Sequence, residues 1–275
     1  MTISVLWSDK TLYSNDIQYP CIKCYADSLV SSQNGVLTEH AMKILPLTLS
    51  FSMEYQQITG DEPPRPYQLG FTYAGNIEVA MYAYSLLSFF CSNLMPISDR
   101  ANAKKAFPSI LDISCLAGNL LKGYIEDFAV IQGTYASAEI VLFGFCQQSL
   151  SNKVFHIYPM VENAGAQYHA QEIDLSGNRF FSIGTGKPLL EEKILGGDER
   201  PVSEIIRDLI SDKKSIEKGV GGFLQRAWYS NQHLNIYNET PSTDTEMKFL
   251  GKFPMCTFLS PSCTHYVSLK SHAVD

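Results

Sequence analysis

The stretch Gln68-Leu69-Gly70-Phe71-Thr72-Tyr73-Ala74-Gly75-Asn76 decides the fold of this chain. Its aromatic and β-branched residues predict a strand, and apolar residues at helical spacing follow directly, over about 77 to 94. A second block with the same spacing covers about 109 to 131. The pattern therefore predicts one strand that passes through a glycine into the first of two successive helices.

Strand-like runs lie on both sides of these two helices. They cover residues 2–7, 21–26, 43–50, 138–147, 153–161, 167–173, 180–184, 223–229 and 234–237, and an amphipathic helix is predicted from 201 onward. Long loops are expected at 9–20 and 54–67. Helices grouped between blocks of antiparallel strands predict an α+β fold, a four-layer αββα sandwich in which helices cover both outer faces of two packed sheets. We expect one domain over 1–240 and a C-terminal extension over 241–275.

Composition narrows the class of protein. The chain has 275 residues and a formal net charge of -7, without the basic stripe that nucleic-acid binding requires. Its seven cysteines are too scattered for a disulfide framework, so a cytoplasmic location is expected. The uncharged stretch 79–97 contains several polar residues and a proline, which favours a buried helix over a membrane span.

Four residues carry the predicted chemistry. Thr2 directly follows Met1, and removal of Met1 would leave a hydroxyl nucleophile and an amine base on one residue. A lysine beside that amine would keep it neutral, and an aspartate would anchor the lysine; Lys43 and Asp27 fit these roles. Gly75, at the start of a helix, is the candidate donor of a backbone N–H to an oxyanion.

At these residues the chain resembles the proteasome β-subunit family and the bacterial protease subunit that works with an unfolding ATPase. Both are N-terminal-nucleophile hydrolases. The resemblance is carried by Tyr25-Ala26-Asp27-Ser28, by Met42-Lys43-Ile44, by the Phe71–Asn76 junction and by Ser182-Ile183-Gly184-Thr185-Gly186. It implies that Thr185 replaces a serine near the terminal amine, and that Glu217 stands where the family has an aspartate.

The chain also departs from the family pattern. Val220 has no hydroxyl where the family has a serine, and Leu29 stands where an arginine or a similar residue often follows the aspartate. The first hairpin is longer than usual, and counting back from Asp27 without an insertion places Thr11 at the nucleophile's position. Thr11 would require cleavage of a ten-residue propeptide, so Thr2 is preferred.

Other sites are disfavoured by spacing. Cys21 and Cys24 form a C-x-x-C, but residues three apart in a strand face opposite sides, which argues against a shared metal. The histidines form no metal-binding pair, and no serine-hydrolase elbow is present. No cofactor is therefore expected.

Three functions remain open at this point. The first is a threonine-type peptidase acting on peptides or small amides; the second is a catalytically inactive scaffold or interaction subunit; the third is a small-molecule amidase on the same fold. The resemblance implies a homo-oligomer and leaves an ATPase partner open. Under the first hypothesis, Thr2→Ala and Lys43→Ala are each expected to abolish hydrolysis without unfolding the chain.

Overall fold

The computed structural model of the protein describes residues 2–12, 18–32, 35–95, 107–132, 137–162, 165–177, 180–198, 200–212, 215–216, 219–230 and 232–238. The strands are β1 (Ser4–Leu12), β2 (Gln18–Ala26), β3 (Val30–Ser32), β4 (Gly35–Thr38), β5 (Ile44–Leu49), β6 (Tyr67–Gly75), β7 (Ala138–Cys146), β8 (Ser151–Glu162), β9 (Gly165–Glu172), β10 (Phe180–Ile183), β11 (Gln225–Ser230) and β12 (His233–Asn238). The helices are α1 (Tyr55–Thr59), α2 (Ile77–Ser92), α3 (Ile110–Gln132), α4 (Lys187–Leu195) and α5 (Val202–Ser211).

The first sheet has the strand order β10-β1-β2-β11-β12, and all its strands are antiparallel. Ser4 pairs with Ile183 on one side and with Ala26 on the other. The residues just before Ser4 therefore lie between the residues that follow β2 and those that follow β10. This register brings the start of the chain to one end of the sheet.

The second sheet has the order β5-β6-β7-β8-β9 and is also antiparallel. One of its faces packs against α2 and α3 through a buried cluster that includes Phe71, Leu87, Leu121 and Ile157. Asn76 caps α2, because its side chain accepts a hydrogen bond from the Val79 N–H at 3.1 Å.

The two sheets pack face to face through a second apolar cluster. Leu6 and Ala227 from the first sheet meet Val141 and Phe143 from the second. Val5, next to Leu6 in β1, points the other way and packs with Ile206 of α5 in a third cluster that also includes α4. The predicted α+β class, with two packed antiparallel sheets and helices outside them, is confirmed.

Local predictions were wrong at three places. Most of the loop expected at 9–20 is strand, because β1 continues to Leu12 and β2 begins at Gln18. The β3–β4 hairpin was not predicted, and neither was α1 inside the loop expected at 54–67. β3, β4 and α1 are three to five residues long, and a periodic pattern needs more residues to be recognised.

The predicted C-terminal extension, 241–275, lies outside the described residues, so the domain boundary stays a prediction. Within the described part of the chain, no helix combines the length and the apolar character needed to cross a bilayer.

Gly70 tests the packing between the sheets. A β-carbon at this position would stand 2.1 Å from Cζ of the buried Phe143, which pairs with it across the strands. We expect Gly70→Ala to lower the free energy of unfolding by ~1–3 kcal/mol, because the ring has to move within a filled core. Urea unfolding measures this.

The control is Gly123→Ala in α3, where a β-carbon would meet no atom within 4 Å. It is expected to raise stability by ~0.5–1 kcal/mol, since alanine favours a helix more than glycine does. Equal midpoints for Gly70→Ala and wild type would contradict the packing described above.

Candidate active site

Thr2 lies at the beginning of the first sheet, held by the turn that follows β10. Its nitrogen donates to Thr185 Oγ1 at 3.3 Å, and its carbonyl accepts a hydrogen bond from the Gly186 N–H at 3.1 Å. Gly184 has φ +90°, and a β-carbon there would come within 2.1 Å of the Thr2 carbonyl oxygen. Only glycine fits this left-handed, crowded position, so the turn can approach the Thr2 main chain closely.

Asp27 follows β2 directly and is completely buried. Its Oδ1 accepts hydrogen bonds from the Ile3 N–H at 3.0 Å and from Lys43 Nζ at 2.8 Å. Its Oδ2 accepts one from the Gly221 N–H at 3.2 Å. One carboxylate thus joins the residue after Thr2 to Lys43 and to the loop before β11.

Lys43 directly precedes β5 and is 1% exposed. Besides Asp27, its ammonium donates to the Leu29 carbonyl at 2.5 Å. Burial lowers the pKa of Lys43 and raises that of Asp27, while the attraction between the two charges opposes both shifts. Lys43 therefore loses its proton more readily than a lysine in water, and its charge is close to the start of the chain.

Gly75 lies at the end of β6, next to the N-terminus of α2, and has φ +98°. The neighbouring residue Ala74 shows that Gly75 lies near Thr2. A β-carbon added to Gly184 would stand 3.2 Å from Ala74 Cβ. The glycine that contacts the Thr2 carbonyl therefore also lies against the strand end that carries Gly75. A hydrogen bond of 2.7 Å between Ser4 Oγ in β1 and Thr72 Oγ1 in β6 also joins the two sheets here.

The structure thus brings five of the six predicted site residues to one end of the sandwich: Thr2, Asp27, Lys43, Gly75 and Thr185. The sixth, Glu217, lies outside the described residues, and its role stays a prediction. Thr11 does not belong to this group. Thr11 lies in β1 and pairs with Tyr19 of β2. It is nine residues from Thr2, a distance of roughly 30 Å along an extended strand. The structure therefore places Thr2, and not Thr11, beside Asp27 and Lys43, and the extra residues lengthen the far end of the hairpin.

The departures from the family pattern have visible consequences. Val220 is buried beside Ile3, and a β-carbon on Gly186 would stand 2.7 Å from Val220 Cγ2. This side chain fills its space with methyl groups and offers no hydroxyl. Leu29 is buried and contributes its main-chain carbonyl to Lys43 rather than a polar side chain.

Two polar residues that the sequence did not indicate support the site. Gln225 holds the main chain around Lys43 through its side-chain amide. Glu139 accepts hydrogen bonds from the Gly184 N–H and from His156 Nε2, each at 2.8 Å. Burial acts to raise the pKa of Glu139, but these hydrogen bonds outweigh it and hold the pKa below its usual value. Glu139 could have been noticed as a charged residue in the otherwise apolar strand β7, whereas Gln225, which begins β11 next to Arg226, gave no such signal.

No metal site accompanies these residues in the described ranges: no three side chains of the His, Cys, Asp or Glu type are grouped closely enough to hold an ion. Cys21 and Cys24 are both buried free thiols of β2.

Two packed antiparallel sheets with helices outside, and the first strand beginning beside a buried Lys–Asp pair, define a proteasome-like fold. Two solved structures of Anbu from Hyphomicrobium sp. strain MC1, a bacterial proteasome-like protein, share it. The mutant designated Gly-1 is 14% identical and the other structure 12%; each has a TM-score of 0.52 and aligns over 92% of this chain and 93% of its own. Neither a protein-family model nor a curated protein sequence matches the chain. At these identities the similarity establishes the fold alone.

The burial of Lys43 changes one expectation. Lys43→Ala would leave the Asp27 carboxylate buried without its cation, and breaking such a pair destabilises a protein by about 3–5 kcal/mol. We therefore expect the variant to unfold at a clearly lower urea concentration than wild type, and not to keep its full stability.

Lys23→Ala is the matched control for this measurement. Lys23 pairs with Asp9 at 2.5 Å, but their side chains are 32% and 44% exposed. Loss of such a surface pair changes stability by about 1 kcal/mol or less. If the two lysine variants unfolded at the same urea concentration, the buried pair would not have the energetic role described here.

Proposed function

We propose that the protein is an amide-bond hydrolase that uses Thr2 as an N-terminal nucleophile, exposed by removal of Met1. The observation that carries this proposal is the double contact of Asp27 Oδ1 with the Ile3 N–H and with Lys43 Nζ. A buried cation is thereby held beside the residue that would supply both the nucleophile and the base.

The proposed reaction has two stages. In the first, the Thr2 amine takes the proton of Oγ1 while Oγ1 forms a bond to the carbonyl carbon of the amide. The amine then passes this proton to the leaving nitrogen as the C–N bond breaks, and an ester remains on Thr2. In the second stage the same amine removes a proton from water, which attacks the ester, releases the acid and restores Thr2. The scheme uses no metal or cofactor.

Each neighbouring group has a distinct part in this scheme. The Lys43 charge lowers the pKa of the Thr2 amine, so that the amine is neutral and able to accept a proton near neutral pH. Asp27 orients Lys43. The Gly75 N–H is the proposed donor to the oxyanion, a contribution of about 2.7–4 kcal/mol where it has been measured in other hydrolases. Thr185 orients the amine, and Glu217 is the proposed counterpart of the family's second aspartate.

The substrate class is a peptide or a small amide. We further propose, from the resemblance and the composition, that the protein is cytoplasmic and self-associates. Whether an ATPase delivers substrates to it is left to experiment.

A catalytically inactive scaffold is the second candidate, and Val220 favours it. The side chain packs against the turn that holds Thr2 and supplies no hydroxyl to the site. Under this alternative the buried ion pair has a purely structural role, and Met1 remains on the chain.

Intact-mass measurement combined with a β-lactone probe separates the two candidates. We expect the purified protein to lack the mass of one methionine and to gain one probe mass on Thr2. Thr2→Ala should lower the labelling rate by at least about 10⁴-fold, because nucleophile and base act as one unit.

Thr11→Ala is the control, because Thr11 lies at the opposite end of β1 and should leave labelling unchanged. Retained Met1 together with an unlabelled Thr2 would reject the hydrolase proposal in favour of the scaffold. Labelling without peptide turnover, but with turnover of non-peptide amides, would identify a small-molecule amidase.

A further inference from the structure

Gln225 is a buried polar residue that the proposed reaction does not use. It is the first residue of β11, is 2% exposed, and pairs through its main chain with Ala26, the residue before Asp27. Gln225 is thus fixed in the first sheet, immediately beside the carboxylate that anchors Lys43.

The side chain of Gln225 reaches across to the segment that carries Lys43. Its Oε1 accepts hydrogen bonds from the Lys43 N–H at 2.8 Å and from the Ile44 N–H at 3.2 Å. Its Nε2 donates to the Ala41 carbonyl at 2.8 Å. The orientation of the amide is unambiguous, because main-chain N–H groups bond only to its oxygen and a carbonyl only to its nitrogen.

These contacts fix both members of the ion pair with respect to each other. Asp27 is placed by the β2–β11 pairing, and the main chain of Lys43 is placed by the amide on the neighbouring strand. A lysine side chain has four flexible methylenes, so its ammonium is located well only if the main chain beneath it is held. The segment needs this support because β5 begins only at Ile44, which leaves Lys43 outside the strand ladder.

We infer that Gln225 is a positioning residue that sets where the Lys43 ammonium lies relative to Asp27 and, through it, to the Thr2 amine. The inference rests on the proposed function. Gln225 touches neither the substrate nor Thr2 in this scheme. It acts through Lys43, and its loss displaces the cation that keeps the Thr2 amine neutral.

The test uses Gln225→Met, which keeps an unbranched side chain of similar length and removes the three hydrogen bonds to the main chain. The rate constant of Thr2 acylation by a β-lactone at saturating probe is expected to fall on the order of 10²-fold, as small misplacements of catalytic groups do. The probe concentration at half-saturation stays unchanged. The ascending limb of the pH–rate profile moves to higher pH, because an amine without a nearby cation has a higher pKa.

The pH–rate profile separates positioning from general stabilisation. If Gln225 acts through the Lys43 charge, Gln225→Met shifts the ascending limb, whereas a purely structural role lowers the rate at every pH without moving that limb. Gln68→Met is the matched control: Gln68 is half-buried in β6, opposite Thr48, and its change should leave both the rate and the pH profile as in wild type. Circular dichroism confirms that every variant is folded at the assay temperature.

The outcomes are distinct. Wild-type labelling with an unchanged rate and pH profile in Gln225→Met overturns this inference and leaves the proposed function standing. A rate that falls without a shift of the ascending limb also overturns it, because Gln225 then does not act through the Lys43 charge. Absence of Thr2 labelling in the wild-type protein overturns the proposed function and this inference together.

Discussion

The site depends on the ion pair between Lys43 and Asp27, which is removed from water almost completely. Two charges in such a place are stable only if their remaining hydrogen-bonding groups are satisfied, and here main-chain groups do so: the Ile3 and Gly221 N–H groups bind the carboxylate, and the Leu29 carbonyl binds the ammonium. The pair therefore ties together the start of the chain, the end of β2 and the loop before β11. The same contacts that stabilise the pair also define the geometry around Thr2.

Around this pair, the candidate site is assembled from the ends of strands in both sheets. The turn after β10 holds the Thr2 main chain, and it approaches closely because Gly184 has no side chain. Glu139, from the second sheet, accepts a hydrogen bond from that glycine's N–H, while Gln225, from the first sheet, holds the segment before β5. Each sheet thus supports a part of the candidate site that is carried by the other sheet. The packing between the sheets therefore helps to position these residues.

The proteasome-like fold and the proposed reaction have different kinds of support. The fold follows from the sheet order, the apolar clusters and the similarity to Anbu. The reaction is proposed from the arrangement of Thr2, Lys43 and Asp27, whereas the lack of a hydroxyl at Val220 favours the scaffold alternative. A shared fold does not carry an activity with it, so the activity has to be argued from the site.

The sequence by itself determined the types and the order of the longer elements, because periodic runs such as 68–75 and 109–131 indicate which face of each element is buried. It also indicated the candidates Thr2, Asp27 and Lys43, which are the groups of the proposed reaction. Only the tertiary structure placed Thr2, and not Thr11, beside the Lys43–Asp27 pair, since strand register follows from pairing between distant segments. The roles of Gln225 and Glu139 were likewise decided by the fold: a hydrogen bond between residues far apart in sequence leaves no local pattern.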